Sequence, residues 1–113
     1  MTTYIGLAIA DGMFPSTCTI SRRELNADQV KEIIMAGIVT CCNPSHQTTL
    51  KALDQKFGIV VPFRIAPVMV SLKSNDSIIV LSARFPRRLA EGETWTQADV
   101  DAAEFKFGEW LVI

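Results

Sequence analysis

Histidine, tyrosine and cysteine are scarce in this sequence: one His, one Tyr and three Cys among 113 residues. The cysteines (Cys18, Cys41 and Cys42) are odd in number, and two are adjacent, which does not suit a disulfide framework. A reducing compartment is therefore expected. Charge is also sparse, with 11 Lys and Arg against 12 Asp and Glu, for a formal net charge of −1. That balance argues against a broad grip on duplex DNA, which needs many cations facing phosphates. No apolar run approaches the ~20 residues of a membrane span. The apolar stretch Met1 to Ala10 has no charged leader and is broken by Asp11, so it reads as a strand rather than a signal peptide. A cytoplasmic protein without membrane contact is expected. The sequence has no internal repeat, low-complexity tract or linker. Its apolar fraction of 49% is enough for one core, so residues 1–113 read as a single domain.

Periodicity supplies the elements. Tyr4 to Ala10 is apolar on both faces and ends at Asp11-Gly12, the pattern of a buried strand and a turn. Cys18 to Ser21 suggests a short strand. Asn26 with Gln29 forms a potential capping box ahead of Val30, Ile33, Ile34 and Met35, and Gly37 ends that helix. Ile38 to Cys42 is a short strand. Asn43-Pro44 starts a second helix at Pro44, with Leu50, Leu53 and Phe57 on one face and Gly58 at its end. Ile59 to Phe63 reads as strand or extended. Val68 to Leu72 and Ser77 to Phe85, separated by Ser74-Asn75-Asp76, predict a hairpin. A loop from Ala83 to Glu93 precedes a short helix from Thr96, capped with Asp99, to about Ala103. A last strand carries Phe105, Phe107, Leu111 and Ile113 in alternation. The expected architecture is α/β (α+β): a mixed sheet with two main helices and one short helix packed on it.

The candidate site residues cluster at two places. His46 lies in the first turn of the second helix, where unpaired backbone N–H groups favour an anion. There it could donate to a phosphate or protonate a leaving oxygen, or simply cap the turn. Ser45, Gln47, Thr48 and Thr49 surround it with neutral donors suited to phosphate or ribose. Arg84, Arg87 and Arg88 flank Pro86, and forked guanidinium donors match phosphates. Arg64 sits alone between Phe63 and Ile65, and an arginine among apolar neighbours is rarely buried unpaired. Arg22-Arg23 reads as a solvated pair. Glu91 could position a water or accept a ribose hydroxyl. Cys42 and His46, at i and i+4, are half of a zinc site with no second pair, so neither metal nor cofactor is expected. Trp95 and Trp110 read as core.

The order of these motifs resembles a viral family, that of the type III anti-CRISPR ring nucleases, which cleave cyclic tetra-adenylate. The resemblance spans nearly the whole chain. It rests on Tyr4-Ile5-Gly6-Leu7-Ala8, the helix carrying His46 and Thr48-Thr49-Leu50, and Phe63-Arg64-Ile65. It continues through Asp76 to Leu81, Arg88-Leu89-Ala90-Glu91-Gly92 and Phe107-Gly108-Glu109-Trp110. It implies His46 as catalytic acid, Glu91 as an organiser of the hydrolytic site, and Arg64 and Arg88 as phosphate ligands. The chain departs from the nuclease pattern in two respects. Ser45 replaces the glycine before the histidine, and Leu7 and Ala10 stand where the nucleases place asparagine and serine. Cys42-Asn43-Pro44-Ser45-His46 and Phe85-Pro86-Arg87-Arg88 are more similar to a divergent phage branch, the anti-Thoeris sponges. Those bind cyclic ADP-ribose isomers, and some bind cyclic oligonucleotides, without destroying them.

The resemblance thus implies a cyclic-nucleotide-binding domain that sequesters an immune messenger. The ligand residues would be Arg64, Arg84, Arg87, Arg88, Ser45, His46, Gln47 and Thr48. The alternative is a metal-independent ring nuclease using His46 and Glu91. A chain of this size has little room to enclose a cyclic nucleotide alone, so a homo-oligomer with sites at or near subunit interfaces is expected.

Overall fold

The computed structural model describes all 113 residues. Five strands form one mixed sheet: β1 (Thr3–Gly6), β2 (Ile20–Leu25), β3 (Val39–Thr40), β4 (Ser77–Arg84) and β5 (Glu104–Val112), in the order β2-β5-β4-β1-β3. Three α-helices accompany it: α1 (Ala27–Ala36), α2 (Gln47–Phe57) and α3 (Gln97–Ala102). Short 3-10 turns cover Asp11–Met13 and Pro44–His46. The α+β class read from the pattern is the one observed.

Strand alternation divides the apolar residues between the two faces of the sheet. Ile5, Leu25, Ile79, Leu81 and Phe107 pack with Val30 of α1 and with Leu50 and Leu53 of α2 in the main core. Ile78 and Val112 face the other way, where Val70, Leu72, Met13 and Phe14 cover them. Cys41 and Cys42 follow the same rule. Cys42 is buried in the main core, and Cys41 packs on the second cluster. Burial raises both thiols above the ordinary cysteine value, the behaviour of packing residues rather than reactive thiolates.

The capping signals operate as their chemistry requires. Asn26 Oδ1 accepts from Gln29 N–H at 2.8 Å, and Gln29 Oε1 accepts from Asn26 N–H at 2.8 Å. Thr96 and Asp99 make the corresponding reciprocal pair at α3. Gly58 ends α2 at φ 69°, a conformation that glycine adopts without a Cβ penalty. Lys56 Nζ donates to the carbonyls of Val100, Asp101 and Ala103, which caps α3 and fixes it against α2.

Four expectations are corrected. The Val68–Leu72 hairpin arm does not exist, because both edges of β4 are taken, by β1 in parallel and by β5 antiparallel. The alternation in 68–72 is nevertheless real: Val70 and Leu72 are buried and Met69 is exposed. It serves to cover the second face, with Leu72 N–H bonded to Met13 C=O at 2.7 Å. The strand expected at Cys18–Ser21 is Ile20–Leu25 instead, so Arg22 and Arg23 lie on a strand, and both are solvent-exposed as expected. Arg22 lies over the Trp110 ring at 5.9 Å, and Arg23 Nε donates to Glu109 at 2.7 Å. β1 stops at Gly6, short of Ala10. Met35, expected on the buried face of α1, is 87% exposed.

Candidate functional site

β1, β3 and β4 are mutually parallel, so their carboxyl ends lie along one end of the sheet. In open α/β sheets that is where ligands enter, in the crevice beyond the strand ends. An open cleft lies there, lined by Leu7 after β1, Thr49 in the first turn of α2, and Leu81, Ser82 and Ala83 of β4 with Phe85 beyond it. Four of the six lining residues are apolar, and Thr49 supplies the hydroxyl on the α2 side, since Ser82 shares the face of β4 that carries Ile78 and Val80, opposite Leu81. The positive charges sit outside the lining: Arg84 is the last residue of β4 and is exposed.

The His46 turn packs beside this end of the sheet but is occupied with itself. Asn43 Oδ1 accepts from Ser45 N–H at 2.9 Å and also from the Ser45 hydroxyl. His46 Nδ1 accepts from Asn43 N–H at 3.2 Å. The amides of His46 and Gln47 bond to the carbonyls of Asn43 and Pro44. The unpaired amides expected at Ser45, His46 and Gln47 are therefore already paired, because asparagine and proline build a 3-10 turn ahead of the α-helix. With Nδ1 as acceptor, the neutral imidazole carries its proton on Nε2, which remains available as a donor. Gln47 and Thr48 are exposed at the start of α2.

Arg64 is brought to the same region by its backbone. Its N–H donates to Cys42 C=O at 2.7 Å, and Thr40 Oγ1 donates to Pro62 C=O at 2.8 Å. These bonds lay the 62–64 segment beside β3. The side chain is exposed, as are those of Phe63 and Ile65, so Arg64 is not buried among its apolar neighbours and needs no buried partner.

Two adjacent arginines behave differently. Arg87 is bound within the chain, its Nε and Nη2 on Asp99 at 2.9–3.2 Å and its Nη1 on Glu93 at 3.2 Å. This guanidinium, together with the Thr96 amide, holds the Asp99 carboxyl below the usual carboxylate range. Glu93 is lowered first by the Ala90 amide and then by Arg87. Arg87 also lies over the Trp95 ring, which stacks on Phe85 at 4.1 Å. These contacts organise the loop between β4 and α3. Arg88 and Glu91 project from that loop into solvent with no ion-pair partner in the chain.

The structure thus brings Leu7, Thr49, Ser82, Phe85 and Arg84 together at the strand ends, with the His46 turn and Arg64 flanking them. Ser82 and Phe85 were not singled out as site residues from the sequence. The signal that could have found them was the parallel pairing of β4 with β1, which the expected hairpin concealed.

No family model matches the chain, and no curated protein does. Among solved structures the fold is shared with a viral protein, B116 of Sulfolobus turreted icosahedral virus. The match has a TM-score of 0.70 at 13% identity and covers 98% of this chain and 99% of that one. The likeness is one of fold.

Proposed function

We propose that this is a viral immune-evasion protein that binds and sequesters a cyclic nucleotide messenger of host anti-phage defence in the strand-end cleft. The observation that carries the reading is the cleft itself. The ends of the parallel strands β1 and β4 and the start of α2 surround a mostly apolar space, with Arg84 next to it in the chain. In this reading Leu7 and Phe85 supply a surface for a base, Thr49 a donor for ribose or phosphate, and Arg84, Arg88 and Arg64 charge for the phosphates. The fold shared with a viral protein is consistent with viral origin.

Sequestration is favoured over cleavage because the cleft lining holds no titratable side chain. The candidate acid, His46, has one ring nitrogen committed to its own turn. The cleft is open, and in this reading a second copy of the chain closes it. The test is to incubate the protein with cyclic ADP-ribose isomers, cyclic dinucleotides and cyclic tri- and tetra-adenylate. The protein is then denatured by heat and the supernatant analysed by mass. Intact ligand released in stoichiometric amount is expected. A linearised product formed over many turnovers, and lost in His46→Ala, would establish a nuclease instead.

A further inference from the structure

The aromatic wall of the strand-end cleft is held in place from outside the cleft. Phe85 lines the cleft, and its ring lies flat on that of Trp95, with centroids 4.1 Å apart and planes 6° off parallel. The two residues stand at the ends of the loop between β4 and α3. Phe105 meets Phe85 edge-on at 5.9 Å and joins it to the main core. The Trp95 Nε1–H is buried without an acceptor, so no hydrogen bond of its own orients the indole. A buried tryptophan usually has such a partner. The placement of the ring therefore rests on its neighbours, Phe85 and the Arg87 guanidinium, which lies 5.8 Å from the ring centroid.

Arg87 is in turn fixed by Asp99. Its Nε and Nη2 donate to both carboxylate oxygens at 2.9–3.2 Å. Asp99 is only 8% exposed and also accepts from the Thr96 amide, so its carboxylate is held on both sides. The helix that carries it is anchored as well, because Lys56 of α2 holds the carbonyls of Val100, Asp101 and Ala103. The same α2 supplies Thr49 to the cleft. Asp99 does not line the cleft, but it stands on the frame of one wall and is linked to the other.

We infer that Asp99 is a positioning residue for the cleft: through Arg87 and Trp95, its carboxylate fixes the Phe85 ring in the orientation that receives a base. The inference rests on the cleft being the ligand site. A wall ordered before the ligand arrives spares binding the entropy loss of fixing it. The link needs the charge on Asp99, since a neutral amide keeps an acceptor for the helix cap but weakens the charge-assisted bonds to Arg87.

Asp99→Asn tests this with two readouts. In the ligand-free protein, hydrogen exchange of the Trp95 indole N–H should speed up and the Phe85 ring resonances should shift, with the Trp110 indole as the unaffected control. Calorimetry then uses cyclic ADP-ribose isomers, cyclic dinucleotides and cyclic tri- and tetra-adenylate. Affinity for whichever of these binds wild type should fall several-fold, and Asp99→Glu, which keeps the charge, should recover part of it. Arg87→Gln should give the same loss, and the double variant no more, because the two residues act as one link. A lower Tm with indole exchange and affinity unchanged overturns this inference alone. So do additive losses in the double variant, because Arg87 would then act on the ligand directly. A wild type that binds no member of the panel overturns the cleft reading, and this inference falls with it.

Discussion

The two ends of the sheet are built on opposite principles. At the end where β1 and β4 begin, the polar groups described find partners within the chain. Asp76 Oδ1 accepts from Thr2 N–H at 2.8 Å, and Oδ2 accepts from Lys73 N–H at 3.0 Å. Ser77 N–H bonds to Thr2 C=O, Asn75 N–H to Val112 C=O, and Val112 N–H to Asp76 C=O. Behind them Ile78, Leu72, Val70 and Val112 are buried. At the other end Ser82, Ala83 and Arg84 emerge from β4 exposed, beside a cleft, and Arg88 stands free. Satisfied polar groups over a dry core make stability, and unsatisfied donors around an apolar recess make a binding surface. The contrast recurs within one dipeptide: Arg87 holds its own loop together, and Arg88 is left for something else.

Changes at the closed end should therefore act on stability, and changes at the open end on binding. The largest expected effect is at Ile78, which is 0% exposed in the second cluster. Ile78→Ala should cost about 2–5 kcal/mol in urea unfolding, with the affinity of the folded fraction preserved. A cost no larger than that of a surface substitution would break the comparison. Arg88→Ala should weaken messenger binding about tenfold or more without moving Tm. Unchanged affinity in both Arg88→Ala and Arg64→Ala, with the fold intact, would remove the arginines from the site.

Asp76 gives a smaller effect with a definite pH signature. The amides of Lys73 and Thr2 hold its carboxyl below the usual carboxylate range. A group lowered on folding contributes stability that is complete above its unfolded value of about 3.9 and is lost as pH falls through the lower folded value. Asp76→Asn should thus lower stability at neutral pH by about 1–3 kcal/mol and flatten the acid limb of the stability curve. An acid limb identical to that of wild type would show that Asp76 does not anchor this end.

Local chemistry was the most legible part of the sequence. The capping pairs Asn26–Gln29 and Thr96–Asp99 and the stop at Gly58 involve residues a few positions apart, and the structure has all three. Pairing between strands was less legible. Val68 to Leu72 alternates like a strand because it packs one side against a face, which an edge-paired strand also does. Nothing local distinguishes the two cases. The cleft depends on which strands are neighbours, so Ser82 and Phe85 gave no local signal. His46 was legible as a turn residue, but the engagement of its Nδ1 with Asn43 depended on the 3-10 turn that Asn43 and Pro44 impose. Arg87 and Arg88 looked alike because the carboxylates that separate them, Glu93 and Asp99, lie on later elements.

In the proposed reading the ligand enters at the carboxyl ends of the parallel strands. Amide chemical shifts of the labelled protein, titrated with each cyclic nucleotide of the panel, test this directly. Perturbations are expected to concentrate at Leu7, Thr49 and Ser82 to Phe85, with Met13, Leu72 and Asp76 at the closed end unmoved. Shifts confined to the Met13 and Leu72 face, with the strand ends silent, would contradict it.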